Sequence, residues 1–425
     1  MKPARRELPV YHDSSVPVSL GCKPCLELGL CGGLQAAGGL HNCLSFCDCM
    51  DPSECPYVCP RKLEDFLNRE REINGFTLAN IARTPALEFP TLPAVTPHIY
   101  GRSHRRKKLS VAAISVPLNR LFYRKTGLPK YHSKVEVADA FGFDPSAALI
   151  INGVSQDQPI EDYWLHRKAT RLADFFALLE PALITVPNYS VFTNAPRWDD
   201  LYSIKRIAIC WSEFMFAGIP ASLHLNARTD MDWKRWIEFI GNNPEVRSVT
   251  FEFATGAAHK DRADYHVEKL IGLAGAVNQD LQLLIRGGLR YLRQLDAAFA
   301  ECVFIDTGSY VKTIKRRKLD WTPGRKKYWR SAKTAKAEPL DDLLVHNIQR
   351  TAAMTAFTRS SMAEIEVRRS PDTETAREPK FVDPRQIPLP WRQFDRRSST
   401  QTLRLPKTVR EPFTERRLSA RSAST

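Results

Sequence analysis

Short apolar runs recur about every 30 residues through the middle of the chain, and this repeat restricts the possible folds more than any other feature. The seven runs cover residues 111–117, 147–152, 182–187, 221–226, 249–254, 281–286 and 302–306. The stretches between them have the apolar spacing of amphipathic helices. We predict these helices over residues 161–179, 199–216, 230–242, 262–278 and 289–299. Because an apolar strand followed by a helix is one unit of a parallel sheet, the repeat predicts an α/β fold.

Seven such units predict a (β/α)8 TIM-like barrel whose eighth strand the sequence does not identify. A doubly wound open parallel sheet is the alternative. Helices are also expected over residues 61–75 and 340–357. The predicted domains are a Cys-rich metal-binding module at 1–75, a Pro-rich linker with a basic patch at 76–109, the barrel at 110–312, a basic segment with a helix at 313–366 and a basic, disordered tail at 367–425.

Eight of the ten cysteines lie within the first 59 residues, and only Cys210 and Cys302 fall elsewhere. The N-terminal sequence MKPARRELPV lacks the apolar core of a signal peptide, so we expect the protein in the cytoplasm, where thiols stay reduced. Clustered thiols in that compartment indicate metal ligands rather than disulfides. The candidate ligands are Cys22, Cys25, Cys31, Cys43, Cys47, Cys49, Cys55 and Cys59.

The spacing of these cysteines fits two kinds of metal centre. The first three are spaced C-x2-C-x5-C, and Cys59 is followed by proline, which are features of some iron–sulfur segments. Eight thiolates are also enough for two zinc sites of four cysteines each, with His12 and His41 as possible substitutes. The residues therefore leave an iron–sulfur cluster of the [4Fe-4S] type and Zn2+ open as cofactors. We expect the role of either metal to be structural.

The formal net charge of +15 favours a polyanionic partner, either nucleic acid or a membrane surface. No apolar run reaches the roughly 18 residues that a membrane-spanning helix needs, so we expect no membrane insertion. Trp321, Tyr328 and Trp329 are interleaved with one basic run, a composition suited to phosphate contact and base stacking. The predicted nucleic-acid contacts are Arg105, Arg106, Lys107, Lys108, Lys315, Arg316, Arg317, Lys318, Arg325, Lys326 and Lys327.

Polar residues follow the apolar runs where each strand would end, and this edge carries the active site of a barrel. They are Asn152, Asn188, Asn226 with Arg228, Glu252, Arg286 with Gly287 and Gly288, and Asp306. Glu252 could face inward as an acid or base, or outward as a paired carboxylate. Gly287 and Gly288 could hold a phosphate or form a tight turn. Asp306 could be a nucleophile or the N-cap of the following helix.

Four segments, LITVPNYSVF, GIPASLHLNART, LLIRGGLR and VFIDTGSY, resemble the active-site strands of the tRNA-guanine transglycosylase superfamily. The likeness is greatest to the phage branch that inserts 7-deazaguanines into DNA, and it covers about 130 residues. The resemblance implies a barrel glycosyltransferase that exchanges guanine for a 7-deazaguanine through a covalent intermediate on Asp306. It also implies that Gly287 and Gly288 line the base pocket.

The chain departs from that superfamily at two points. Asn188 stands where the superfamily has an aspartate that acts as an acid or base, so Glu252 is the candidate substitute. Asn226, Arg228 and Arg286 remain candidates for substrate binding. The zinc site of the superfamily follows the late strands, whereas the cysteines here precede the barrel, so the resemblance does not imply their metal.

We therefore expect a transferase that modifies DNA rather than tRNA and binds a small 7-deazapurine base. It would act in the cytoplasm, which is that of the host if the chain is phage-encoded. Two alternatives remain open: an iron–sulfur redox or radical barrel enzyme, and a non-catalytic metal-containing protein that binds nucleic acid.

Metal analysis of the purified chain tests the cysteine prediction. We expect bound zinc or iron, with absorbance near ~400 nm if the metal is in an iron–sulfur cluster. Replacing Cys25 and Cys59 together with serine removes two thiolate ligands and should strip most of the metal, whereas Cys302→Ala should leave it in place. A metal-free wild-type protein, purified under reducing conditions without chelators, would contradict the prediction.

Overall fold

The computed structural model describes residues 63–191, 197–254, 260–323, 327–335 and 337–360. Eight parallel strands alternate with helices along these residues. The strands are β1 (Val95–Pro97), β2 (Ala113–Pro117), β3 (Ala148–Asn152), β4 (Leu183–Thr185), β5 (Ala221–His224), β6 (Ser248–Glu252), β7 (Gln282–Arg286) and β8 (Glu301–Asp306). Each of the seven predicted apolar runs overlaps one of these strands, and β6 and β8 begin one residue before their runs.

The helices largely occupy the predicted stretches. They are α1 (Leu63–Glu72), α2 (Lys134–Phe141), α3 (Asp157–His166), α4 (Leu172–Ala177), α5 (Arg197–Phe216), α6 (Asp230–Asn242), α7 (Lys260–Ala276), α8 (Leu292–Asp296), α9 (Gly308–Ile314) and α10 (Asp341–Ser360). The bounds of α6 match the prediction because Thr229 and Asp232 form a capping box at its start. The helix predicted over 161–179 is two helices, with a left-handed Arg171 between them. No described helix is long and apolar enough to cross a membrane.

The strands form one sheet in the order β1-β8-β7-β6-β5-β4-β3-β2. Its two outer strands then meet, because His98, which follows β1, forms a parallel bridge with Ser115 of β2. The amide of Ile99 also donates to the Ser115 carbonyl oxygen at 2.9 Å. The sheet is therefore a nearly closed parallel barrel, as the TIM-like prediction requires, and the open-sheet alternative does not hold.

The strand that the sequence leaves unidentified is β1, which lies inside the segment predicted as a Pro-rich linker. It has only three residues and ends on Pro97, and its register runs from Val95 opposite Phe304 to Pro97 opposite Asp306. A run this short, with prolines close by, lacks the apolar periodicity by which strands are recognised. The barrel consequently begins before residue 110.

Side chains along the strands alternate between two apolar cores. The inner core, inside the barrel, consists of Ala113, Ile150, Leu183, Leu284, Val303 and Ile305, with Leu92 packed against them. The intervening strand residues, such as Ile114, Leu149 and Phe304, pack with the helices in the larger outer core. Leu92 covers the N-terminal end of the barrel, where its amide donates to Glu301 Oε1 at 3.0 Å.

Polar side chains link β5 to β8 across the floor of the barrel. The hydroxyls of Ser222 and Thr250 are 2.6 Å apart, and the Ser248 hydroxyl donates to Ser222 Oγ at 2.9 Å. The Ser248 hydroxyl also lies 3.0 Å from Gln282 Oε1, and Gln282 Nε2 donates to Glu301 Oε2 at 2.8 Å. These polar atoms are buried, but each has a hydrogen-bond partner inside the barrel.

A hairpin and a long helix follow the barrel. The hairpin consists of β9 (Arg317–Asp320) and β10 (Tyr328–Ser331), which pair antiparallel. Leu319 and Trp321 pack against Met354 of α10, so the hairpin is tied to this helix by an apolar cluster of its own. The helix predicted over 340–357 is α10.

Ile150→Ala tests the inner core. Ile150 is fully buried inside the barrel, so we expect a loss of about 2–5 kcal/mol in the free energy of unfolding, from lost burial and the cavity left behind. Leu165→Ala on α3 is the control, because Leu165 is 72% exposed and should change stability by no more than about 0.5 kcal/mol. Urea unfolding measures both, and equal losses would contradict the assignment of an inner core.

Candidate functional site

A buried ion pair lies at the mouth of the barrel, the end formed by the C-termini of the strands. Arg286 Nε, at the end of β7, is 3.3 Å from Glu252 Oε2, at the end of β6. Only 4% of the Glu252 side chain and 18% of the Arg286 side chain are exposed. Both residues have the same strand parity as the inner-core Leu284, so both side chains lie on the inner face of the sheet.

The surroundings hold this pair in place. The amide of Ala254 donates to Glu252 Oε1 at 2.6 Å. Arg286 donates to the carbonyl oxygen of Val154 and to the hydroxyl of Tyr100, each at 3.3 Å. Burial raises the pKa of Glu252, and the charge of Arg286 together with the Ala254 amide opposes that rise. The carboxyl group therefore binds a proton more readily than an exposed glutamate, while the guanidinium stabilises its ionised form.

Two neutral histidines lie on the same inner face of the barrel. Burial, and secondarily the charge of Arg286, lowers the pKa of His98 to about 3. Burial also lowers the pKa of His224 to about 3. His98 Nδ1 lies 2.9 Å from Ser115 Oγ, while its Nε2 is buried without a hydrogen-bond partner. Neutral imidazoles can donate or accept a hydrogen bond according to their tautomer, so they can orient a polar ligand.

Sequence reasoning missed both histidines. His224 lies in the predicted strand ending in Asn226, two residues after the inward-facing Ser222, so period-two alternation was the signal that could have identified it. His98 follows the unidentified strand β1, and nothing in the sequence assigned it to the barrel. Tyr100, which Arg286 contacts through its hydroxyl, was missed for the same reason.

Two of the three predicted asparagines connect loops at the mouth, and the third makes a contact within its own loop. Asn188 Oδ1 accepts from the Ser155 amide at 2.9 Å, which joins the loops after β4 and β3. Asn226 Nδ2 donates to the Tyr189 carbonyl oxygen at 2.6 Å. Asn152 Oδ1 accepts from the amide of Val154 at 2.8 Å. These amides hold the loops in position, and Asn188 has no acid–base function because its side chain does not titrate.

Gly287 and Gly288 form a tight turn at the end of β7. Both have left-handed backbone conformations, with φ of +77° and +66°. A Cβ on Gly287 would lie 2.9 Å from the Ala254 nitrogen, and one on Gly288 would lie 2.6 Å from the ring of Phe253. Only glycine allows this turn to pack so closely on the end of β6, next to Glu252. The tight-turn interpretation therefore accounts for the pair.

Asp306 lies on the outer face of β8, whereas its predicted role as a nucleophile requires it to reach a substrate at the barrel mouth. It has the strand parity of Phe304, which packs in the outer core, and not of Ile305, which packs in the inner one. Its carboxylate accepts from the amide of Ser309 at 3.0 Å and from the Ser309 hydroxyl. That hydroxyl is 3.0 Å from Thr351 Oγ1 of α10. These are the contacts of a side chain that caps the start of α9, which is the other role that the sequence suggested for Asp306.

The predicted nucleic-acid contacts that the structure describes differ in exposure. Arg105 is buried and donates to the carbonyl oxygens of Phe141 and Gly142 at 2.5 Å each, so the prediction of a surface contact is wrong for this residue. Arg316 is half-buried and donates to Thr334 Oγ1 and the Ala335 carbonyl oxygen. The exposed members are Arg106, Lys107, Lys108, Lys315, Arg317, Lys318 and Lys327. Arg325 and Lys326 lie outside the described residues.

The hairpin has one basic, exposed face. On that face Lys318 lies opposite Arg330 in the strand register, and Asp320 lies opposite Tyr328, which is 54% exposed. Arg330 Nε neutralises Asp320 at 2.8 Å. On the opposite face Leu319 pairs with Trp329. The hairpin lies near the mouth, because a Cβ on Gly308, two residues after β8, would be 4.0 Å from the ring of Trp329.

Comparison with known proteins does not assign the chain, because no family model matches it and no curated protein matches its sequence. The eight predicted cysteine ligands lie outside the described residues. Within the described part of the chain, no group of three or more histidine, cysteine, aspartate or glutamate side chains is arranged to hold a metal ion. Cys210 and Cys302 are both buried there as free thiols.

Two substitutions at Asp306 test its role as a cap. Asp306→Ala should lose about 1 kcal/mol of unfolding free energy, because the Ser309 amide loses its acceptor. Asp306→Asn keeps an acceptor and should lose less. Urea unfolding at one pH measures the difference, and equal losses for the two variants would contradict the capping role.

The pH dependence of these proteins gives a second test. Burial raises the pKa of Asp306 above its usual 3.8, so at pH values above 3.8 the folded chain keeps this proton when the unfolded chain has lost it. The wild type therefore loses stability as the pH rises through the pKa of the folded state. Asp306→Asn lacks this loss, so its stability relative to the wild type should be higher at pH 8 than at pH 4. The opposite trend would contradict the raised pKa.

Proposed function

We propose that the chain is a nucleic-acid-modifying barrel enzyme, a base-exchange glycosyltransferase that replaces guanine in DNA by a 7-deazaguanine. The observation that carries the proposal is the Glu252–Arg286 pair, which supplies a carboxylate and a cation inside the barrel mouth. The sequence segments that resemble the tRNA-guanine transglycosylase superfamily overlap β4, β5, β7 and β8, so the likeness covers four strands of this mouth, including the one that carries Arg286 but not β6, which carries Glu252.

Glu252 takes the role that the resemblance gave to Asp306, because Asp306 is on the outer face of β8. The Glu252 carboxylate attacks the sugar C1′ as the bond from C1′ to N9 of guanine breaks, and the departing base takes up a proton from solvent at nitrogen. The incoming 7-deazaguanine then loses its N9 proton and displaces Glu252 from C1′. The ester is thereby broken, the carboxylate is regenerated and no oxidant or reductant is needed.

The other mouth residues assist this reaction in stated ways. Arg286 favours the ionised Glu252 that the attack requires, against the effect of burial. His98 and His224 are neutral and hydrogen-bond the polar edge of a base. Asn226 and the turn at Gly287 and Gly288 fix the neighbouring loops, as their contacts describe.

The nucleic acid would bind along the basic face of the hairpin. Lys318 and the neighbouring exposed Arg317 supply positive charge for the phosphates, and the exposed ring of Tyr328 supplies a surface on which a base can stack. Since the target atom is inaccessible inside a duplex, the nucleotide must be turned out of the base stack to enter the mouth. The N-terminal cysteines are proposed to bind zinc or an iron–sulfur cluster, as a module separate from this chemistry.

A trapping experiment with Glu252→Gln tests the proposal. DNA containing radiolabelled guanine is incubated with the full chain and a 7-deazaguanine base, and nucleosides and protein adducts are analysed by mass spectrometry. The wild type should incorporate the new base and show an adduct on Glu252. Glu252→Gln should reduce exchange by at least ~100-fold, because an amide is a poor nucleophile, which corresponds to about 2.7 kcal/mol or more in the barrier.

Asp306→Asn is the matched control, since it also replaces a buried carboxyl group by an amide. It should keep exchange within about threefold of the wild type, a difference of roughly 0.7 kcal/mol. Abolition of exchange by Asp306→Asn with full activity of Glu252→Gln would overturn the assignment of the nucleophile. DNA binding by the wild type without any exchange would overturn the enzyme proposal and favour a non-catalytic binding protein.

A further inference from the structure

Arg228 is a half-buried cation whose side chain has no partner among the described residues. It lies in the connection between β5 and α6, at the rim of the barrel mouth, two residues after Asn226. Its side chain forms no ion pair or hydrogen bond with any described residue, and its Nε is buried and unpaired. Burial is the main effect on its pKa, which is lowered. Taking a guanidinium partly out of water is unfavourable when no anion contacts it, so an added anion that reaches Arg228 would be stabilised there.

Two carboxylates at the start of α6, those of Asp232 and Asp230, contact groups other than the Arg228 guanidinium. The carboxylate of Asp232 accepts from the backbone amides of Arg228 and Thr229 at 2.8 and 3.1 Å, where it completes the capping box of α6. Asp230 accepts from the Tyr265 hydroxyl at 3.0 Å and pairs with Lys269 at 2.9 Å. The charges of the buried Asp200 and of Asp232 raise the pKa of Arg228, which partly opposes the effect of burial. Neither carboxylate forms a described hydrogen bond or ion pair with the Arg228 guanidinium.

The contacts of Asp230 also fix α7 beside the start of α6. Tyr265 and Lys269 lie on successive turns of α7, and both reach the first residue of α6. Arg262, in the first turn of α7, is thereby brought close enough to Arg228 that its charge lowers the Arg228 pKa. Two arginines from neighbouring βα units are thus close enough at the rim for their charges to interact.

His266, one turn after Arg262, adds a neutral polar group to this region. Its ring packs against Trp233 and Phe251, with ring centres 5.9 and 5.1 Å away. Only 4% of the residue is exposed, and its Nδ1 is buried without a hydrogen-bond partner. Burial, followed by the charges of Arg228 and Arg262, lowers its pKa to about 3, so the ring is neutral and can donate from Nδ1 in one tautomer.

We propose that Arg228, Arg262 and His266 form a phosphate-binding site at the rim of the barrel mouth. A phosphate group carries several acceptor oxygens and negative charge, which match the unpaired guanidinium and the unpaired ring nitrogen. The ligand chemistry is a phosphate oxyanion, supplied either by free phosphate or by a nucleic-acid backbone. The backbone source rests on the proposed function, since it would place a phosphodiester beside the nucleotide whose base enters the mouth.

Calorimetric titration of the full chain with inorganic phosphate tests the site. Arg228→Gln should weaken phosphate binding by roughly tenfold or more, because it removes a charge-assisted contact. Arg83→Gln is the matched control, since Arg83 pairs with Glu245 near the N-terminal end of β6 and should leave the affinity unchanged. Arg228→Lys keeps the charge and should bind more tightly than Arg228→Gln, which separates loss of charge from loss of packing.

A second arm uses a short single-stranded oligothymidine in place of phosphate. A parallel loss of affinity for phosphate and for the oligonucleotide in Arg228→Gln would support a backbone source, whereas loss for phosphate alone would support free phosphate. No binding of phosphate by the wild type, or equal binding by Arg228→Gln and Arg83→Gln, would overturn the site. Base exchange is not measured in either arm, so failure of the proposed function would leave these results unaffected.

The melting temperature of Arg228→Gln without phosphate shows whether the variant is folded. Arg228→Gln removes an unpaired, half-buried charge, so its melting temperature without phosphate should equal or exceed that of the wild type. The wild type should then gain more from added phosphate than the variant does, because a ligand that binds the folded state raises the melting temperature. An equal gain in the two proteins would also overturn the site.

Discussion

The alternation of side chains along each parallel strand is the constraint on which the rest of this barrel depends. Because the period is two residues, a neighbour in sequence lies in a different environment: Ile305 packs in the inner core, while Asp306 contacts α9 and α10 on the outside. The same parity places Glu252 and Arg286 inside. Asp306 therefore contacts the helices outside the barrel, whereas the two side chains of the ion pair lie inside it.

The ion pair at the mouth contributes little to stability by itself. Desolvation of two charges offsets much of their attraction, and a well-packed apolar pair would hold the strands together at least as well. The surroundings of Glu252 and Arg286 nevertheless keep them paired, with two neutral histidines on the same inner face. Such an arrangement is characteristic of sites where chemistry or binding, rather than folding, requires the charges.

Much of the fold could be predicted from the sequence, because seven strands and most helices produce strong apolar periodicity. The strand β1 could not be predicted, since three residues that end on proline show no apolar periodicity. Because β1 was missed, His98 and Tyr100, which follow it, were missed as well. The site was predicted in part: Glu252 and Arg286 do meet at the mouth. The asparagines and glycines are at the predicted edge, where they shape loops. Arg105 was mistaken because sequence shows its charge and not the backbone carbonyls that surround it.

The hydrogen-bonded floor between β5 and β8 gives the two halves of the barrel different tolerance for sequence change. Around β2 to β4 the inner core is made by Ala113, Ile150 and Leu183, and apolar residues of similar volume can replace one another there. In the hydrogen-bonded series of side chains that joins Ser222 to Glu301, each member needs a specific hydrogen-bond partner. A change in one member leaves the polar group of another buried and unpaired. During divergence, substitutions should therefore accumulate singly in the first half and in compensating pairs in the second.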